Sequence, residues 1–201
     1  AGAYNCLAAV NHNFHRDREV SVPMYKKALS LLRNSDSKEE MPKTYANLGD
    51  AYIQCSDIPE AARCYRRALF LVDSLRIPLY MGLAQIYLTL GDERNALKCY
   101  RATEKHYSDM TPAMQSYYLC NCGNFYYFTK DYPSALKMFL RMKRQLEDNK
   151  LQEHFDMYLC KINLADVYLN MDSLAQSKRM LDEVEPFFRR VGDVTANYYC
   201  N

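Results

Sequence analysis

The stretch TYANLGDAYIQCSDIPEAARCYRRAL, residues 44–69, decides the fold. Apolar residues recur at helical spacing on both sides of a short polar break at Ser56-Asp57. The first arm carries Tyr45, Leu48, Gly49 and Tyr52; the second carries Ala61, Tyr65 and Ala68. Large residues thus face small ones. Two antiparallel helices approach to about 8 Å only where their contact residues are small. The stretch therefore predicts a tight helix hairpin.

The same pattern recurs outward in both directions. A first unit has Tyr4, Leu7 and Ala8, then Ser21, Tyr25 and Ala28, with Asn11 where the other units have Tyr. A third has Tyr80, Leu83, Ala84 and Tyr87, then Ala96, Tyr100 and Thr103. A fourth has Leu119, Cys122, Gly123 and Tyr126, then Ala135, Phe139 and Met142. A fifth has Leu164, Ala165 and Tyr168, then Ser177, Leu181 and Val184. Two columns of small residues stay in register: Ala8, Gly49, Ala84, Gly123 and Ala165, and Ser21, Ala61, Ala96, Ala135 and Ser177. Arbitrary amphipathic helices would not repeat both columns together. Turn chemistry agrees. Ser56-Asp57, Gly91-Asp92, Lys130-Asp131 and Met171-Asp172 each precede a second helix, where aspartate can cap the first amides. Pro59 and Pro133 fall in a first turn, where a missing N–H costs nothing.

A large residue, Leu-Gly, Tyr, then Ala, an aromatic and Ala is the signature of the tetratricopeptide repeat (TPR), and residues 44–69 resemble it most fully. The resemblance implies an all-α, right-handed superhelical solenoid of about five helix-turn-helix repeats. The units span about residues 1–35, 42–75, 77–110, 116–150 and 158–191 of one domain, and a sixth begins near Asp193. Successive tyrosines lie 35 residues apart from Tyr52 to Tyr87, 39 to Tyr126 and 42 to Tyr168. The Tyr-to-small spacing within a unit stays at nine, as in Tyr126 to Ala135, so the added residues lie between units. Longer helices are expected in the C-terminal half, such as Ser134 to Lys150 and Leu151 to Asn170. That resembles the longer repeats of kinesin light chains and of bacterial peptide-sensing regulators, families that bind peptides or protein segments.

Composition narrows the function. Lys plus Arg is 26 and Asp plus Glu is 24 in 201 residues, for a net charge of +2. That balance gives no strong attraction to nucleic acid or anionic membrane. No apolar run reaches the roughly 18 to 20 residues that span a bilayer. The chain opens with AGAYNCLAAV and ends with TANYYCN, which reads as a fragment of a longer protein. Of the 8 cysteines none has CxxC spacing, and the 4 histidines do not cluster beside them, so a metal site is not expected. Cys64 and Cys99 share one repeat position and read as small buried hydrophobes. Free thiols point weakly towards a reducing compartment, the cytoplasm; a periplasmic location stays open for a fragment. No Gly-rich phosphate loop, GxSxG elbow or HExxH is present, so no catalytic role and no cofactor are expected.

By the resemblance, the first helices line a concave groove. One groove position holds Cys6, Asn47, Gly82, Asn121 and Asn163. A side-chain amide offers a donor and an acceptor, and so can hold an extended peptide backbone. The expected peptide-binding residues are Asn47, Gln85, Asn121, Asn124 and Asn163, with Tyr117 and Tyr127 as apolar anchors. The opposing reading has the asparagines pairing with neighbouring helices and the aromatics packing between repeats. TPR co-chaperones hold a terminal carboxylate with a clamp of lysines, an arginine and asparagines. Here Ala46, Met81 and Cys120 occupy the position of the first lysine, which argues against a clamp. The basic runs RCYRR (63–67) and KMFLRMKR (137–144) lie on second helices and read as solvated outer faces. The expected function is a protein- or peptide-binding module, the sensory or scaffolding segment of a larger bacterial signalling or regulatory protein. The alternatives are a non-catalytic part of a multidomain enzyme and a structural self-assembly module.

The cysteine spacing yields a prediction. Melting temperature should be the same with and without reductant; a drop of many degrees in reductant would reveal a structural disulfide, worth roughly 2–4 kcal/mol.

Overall fold

The computed structural model describes Tyr4 and residues 18–35, 38–72 and 76–199. Among the described residues there are nine α-helices and no strand. They are α1 (Arg18–Arg33), α2 (Met41–Gln54), α3 (Ile58–Leu71), α4 (Arg76–Thr89), α5 (Glu93–Glu104), α6 (Pro112–Phe128), α7 (Tyr132–Asp148), α8 (Phe155–Asn170) and α9 (Leu174–Tyr199). Short 3-10 turns at Lys38–Glu40 and Tyr107–Asp109 precede α2 and α6. The architecture is an all-α solenoid of repeated helix pairs. The helices group into two compact units, Ala1–His106 and Tyr107–Asn201.

In the first unit α1 packs on α2, α2 on α3, α3 on α4 and α4 on α5. The small-residue column explains the closeness. A Cβ placed on Gly49 would lie 2.6 Å from the Tyr65 ring, and one on Gly82 would also strike that ring. Tyr65 of α3 is therefore wedged against backbone of both α2 and α4. Its hydroxyl donates to Asp50 Oδ1, which satisfies the one polar atom of a buried ring. Ala61 and Ala96 are fully buried at the facing positions.

The second unit repeats this with different residues. A Cβ on Gly123 would lie 2.6 Å from the Phe139 ring. The thiol of Cys160, on α8, donates to the Phe139 carbonyl at 3.2 Å, so α6, α7 and α8 meet at one residue. Ser116 donates to Gln145 Oε1 at 2.8 Å, and the Gln145 amide donates to the Pro112 carbonyl at 3.1 Å. These buried polar groups of α6 and α7 are satisfied by each other. Lys161 and Glu183 join α8 to α9 at 2.9 Å. The helices here are longer, 16 or 17 residues in α6 to α8 against 12 to 14 in α2 to α5, as the repeat spacing implies.

One turn closes each hairpin. Ser56, Gly91, Lys130 and Asp172 have φ of 60, 70, 62 and 55°, the left-handed region. The next amide then reaches back to the repeat tyrosine: Asp57 to Tyr52, Asp92 to Tyr87, Asp131 to Tyr126 and Ser173 to Tyr168, at 2.8–2.9 Å. Asp57, Asp92 and Asp131 cap the second helix by accepting from Glu60, Asn95 and Ser134 amides. The expected cap at Asp172 is corrected. Asp172 takes the left-handed position and Ser173 stands where the aspartate does elsewhere, because here the aspartate lies one residue nearer the repeat tyrosine while the turn keeps its place.

The fifth unit also departs in its core. Tyr25, Tyr65, Tyr100 and Phe139 are buried at the aromatic position, but Leu181, expected to match them, is 47% exposed. Ser177 and Val184 of that unit are buried as expected, and Met180 is buried beside them. The sixth unit expected near Asp193 falls inside α9, which runs unbroken to Tyr199. Leu7, Ala8 and Asn11 of the first unit lie outside the described residues.

The ring-on-glycine contacts make a prediction. Gly49→Ala and Gly123→Ala should each destabilise by about 1–3 kcal/mol, since the ring must shift in a packed core. Gly91→Ala meets no neighbour within 4 Å and should cost about 1–2 kcal/mol through its backbone angle alone. Urea titrations measure all three. A wild-type midpoint for Gly49→Ala or Gly123→Ala would mean the rings do not set the helix spacing.

Candidate functional site

The residues proposed from the sequence fall in both units. Asn47 on α2 is half-buried and Gln85 on α4 is exposed. Gly82, which shares the asparagine position, is spoken for by Tyr65 and cannot carry a side chain. Cys6, the first member of that column, lies outside the described residues.

The second unit brings several candidates together. Asn124 of α6 and Asn163 of α8 both donate their amides to the Cys120 sulfur, each at 3.8 Å. The two helices alternate with α7, so their first-helix faces lie side by side and present one polar edge. Asn124, Asn163, Tyr127, Phe128 and Asp166 line a cleft of about 110 Å³ floored by buried Phe139. Phe128 is 76% exposed. Tyr127 packs edge-on against Phe128 and Tyr132 at 5.7 and 5.8 Å, and its hydroxyl accepts from the Asn170 amide at 3.2 Å. Asn170 also donates to the Asp166 carbonyl at 2.8 Å.

Two candidates sit differently from expectation. Asn121 turns its amide back to the Tyr117 carbonyl of its own helix at 2.8 Å. Tyr117 is 62% exposed and is not among the residues lining the cleft. Phe128 and Asp166 are the more intimate neighbours. A helical projection places both beside Asn124 and Asn163, but the exposure of Phe128 depends on where α6 ends, which spacing does not reveal.

Cys120 fills the place where a carboxylate clamp would need lysine. Burial pushes its thiol above the ordinary range and the charge of Asp156 adds to that, while hydrogen bonds from Asn163 and Asn124 offset part of the rise. The site therefore offers a neutral thiol, two amides and one carboxylate, and no cation. That set suits main-chain amide groups or a basic side chain at Asp166, and disfavours an anion. Among the described residues no three His, Cys, Asp or Glu side chains gather to hold a metal, and no helix is long and apolar enough to cross a membrane.

Comparison with known proteins agrees with the repeat fold. Residues 44–76 match one family model described as tetratricopeptide repeat, and residues 77–102 match another. Tetratricopeptide repeats thus occupy residues 44–76 and 77–102. No curated protein matches it. Among solved structures it is similar to BtubC (BKLC) from P. vanneervenii, at 18% identity and a TM-score of 0.80, over 94% of this chain and 80% of that one. A putative kinesin light chain from Podosopora anserina, with nearly identical TPR-like repeats, gives 11% and 0.80 over 94% and 95%. Aspartyl phosphate phosphatase F from Bacillus subtilis gives 14% and 0.72 over 87% and 47%. At these identities the likeness is one of fold.

The six described cysteines are free thiols, and Cys64, Cys99, Cys122 and Cys160 are buried. Burial raises Cys64 and Cys99 from 9.0 to about 11 and Cys160 to about 12. The unfolded chain releases these protons near pH 9 and the folded chain holds them. Stability should therefore be level below about pH 9 and fall as pH climbs towards 11 to 12. Denaturant midpoints against pH measure this. Cys64→Ala plus Cys99→Ala should flatten the decline, and an unchanged slope would assign it to other groups.

Proposed function

We propose that this chain is a protein- or peptide-binding module that takes an extended segment along the first-helix face of its second unit. One observation carries this: Asn124 and Asn163, from successive first helices, converge beside a cleft with an exposed aromatic rim. An extended peptide exposes N–H and C=O groups that such amides can satisfy. Each hydrogen bond is worth only about 0.5–1.5 kcal/mol net, so specificity would rest on an apolar residue against Phe128 and Tyr127, with Tyr117 as an outer contact. Asn121, Asn47 and Gln85 extend the same polar chemistry on other first helices.

The broader role we assign is that of a sensory or scaffolding segment in a larger bacterial signalling or regulatory protein, acting in the cytoplasm and without catalysis of its own. The fold shared with a bacterial phosphatase and a putative kinesin light chain supports this by analogy.

The test begins with a pull-down using the 201-residue chain and continues with the captured partner in a binding titration. Asn124→Ala plus Asn163→Ala should weaken binding by about tenfold, and Phe128→Ser by a similar factor. Lys137→Ala plus Arg144→Ala, exposed on α7, should change nothing. Full affinity in the asparagine pair would remove the first-helix face as the site.

A further inference from the structure

The run RCYRR is more than a solvated face. Arg67 of α3 donates to the Tyr45 hydroxyl at 3.3 Å, and Arg33 of α1 donates to the same oxygen at 3.2 Å. The Arg67 guanidinium also lies 5.9 Å from the Tyr45 ring centroid, and Lys26 lies 5.5 Å from that of Tyr52. Two helices of the first unit, α1 and α3, thus hold cations over a floor of two tyrosines on α2.

The surrounding cleft has two connected halves that share Arg33, Tyr45 and Arg67. The polar half, about 330 Å³, is lined by those residues with Lys26, Glu60 and Arg63 among others. The apolar half, about 440 Å³, adds Met41, Arg66, Phe70 and Leu71. Phe70 is 90% exposed and Leu71 45%, an unusual display beside charged groups. Glu60 is the one carboxylate among the lining residues, and Arg63 already pairs with it at 2.9 Å. The charge of Glu60 also acts on Lys26 and Arg67, while Arg33 and Arg66 form no ion pair among the described residues. Burial alone would raise the Tyr45 phenol, but the two arginines outweigh it and lower its pKa below the ordinary value. That is the signature of a locally positive field.

We infer that this cleft is a second binding site, for an acidic protein segment whose carboxylate bridges Arg33 and Arg67 while an adjacent bulky apolar side chain covers Phe70, Leu71 and Met41. Charge complementarity selects the carboxylate. A guanidinium has five N–H donors and Tyr45 uses one from each arginine, so both retain donors for a charge-assisted pair. The shared hydroxyl holds both groups in place before a ligand arrives, which reduces the entropy lost on binding. The apolar half selects a protein segment over a free anion, because an inorganic ion would leave Phe70 in water. It also selects against nucleic acid, for which a net charge of +2 supplies little of the long-range attraction that phosphate backbones need. This site is independent of the asparagine cleft, which carries no cation.

The test uses fluorescence anisotropy of the 201-residue chain with a labelled octapeptide alternating Glu with Leu and Phe. Saturable binding is expected, weakened by about tenfold in Arg33→Gln plus Arg67→Gln. Phe70→Ser should weaken it several-fold. Tyr45→Phe keeps the ring and removes the shared oxygen, and should also weaken binding; it serves as the second reading if the double arginine variant melts early. Asn124→Ala plus Asn163→Ala should leave this binding intact, which separates failure here from failure of the first-helix proposal. The Gln-for-Glu peptide should not bind. The inference is overturned if the peptide does not saturate, if the arginine and Tyr45 variants bind like wild type, or if inorganic phosphate or a single-stranded oligonucleotide displaces the peptide at equal concentration.

Discussion

Everything in this chain depends on a ring lying against bare backbone. Tyr65 touches Gly49 of its own hairpin and Gly82 of the next one, so one side chain sets both the spacing within a repeat and the stacking between repeats. Phe139 does the same work on Gly123, and its carbonyl receives the Cys160 thiol from the following helix. Because interiors are packed at crystal-like density, neither ring can be moved without moving a helix. The left-handed turn residues then follow from geometry. A hairpin this close needs its chain reversed within two or three residues, and Ser56, Lys130 and Asp172 accept an unfavourable φ to do it.

The same constraint decides which residues are left for binding. Positions facing the partner helix are consumed by packing, so Ala84, Ala96 and Leu119 are unavailable to any ligand. What remains is the rim of each first helix and the outer side of each second helix. In the second unit the first-helix rim is neutral and amide-rich around Asn124 and Asn163. In the first unit the second-helix side is cationic around Arg33 and Arg67. These chemistries would recognise different things: the amides read a backbone, whereas the arginines read charge.

The helix pairs were legible because packing writes itself into sequence at short range. Gly49 to Tyr65, and Gly123 to Phe139, each recur at a spacing of sixteen, and no ordinary amphipathic helix needs that. The fifth turn was misread at Asp172 because aspartate is favoured at both the cap and the left-handed position, so the residue type alone could not place the one-residue shift. Leu181 was read as core by register, but a register position is buried only where a following first helix covers it. Nor does spacing reveal that the Asn121 amide donates to a carbonyl of its own helix. Least legible was the Arg33–Tyr45–Arg67 cluster. Tyr45 belongs to the repeat signature and so reads as a core residue, and its partners lie 12 and 22 positions away on separate helices. Only the folded chain shows that the ring is buried while its hydroxyl reaches the surface.

That hydroxyl raises a question of electrostatics. Two guanidiniums within hydrogen-bonding distance of one oxygen are like charges in close company, and a neutral phenol offsets their repulsion only in part. Water at this exposed edge weakens the repulsion without removing it. Salt reduces this but does not reverse it. A bridging carboxylate does reverse it, because each cation then gains a partner closer than the other cation. An acidic ligand therefore relieves a repulsion at this cleft that a neutral one cannot. Binding there should weaken steeply with ionic strength, whereas amide hydrogen bonds at Asn124 and Asn163 should be nearly indifferent to it. Salt is thus the variable that tells the two surfaces apart without altering a residue.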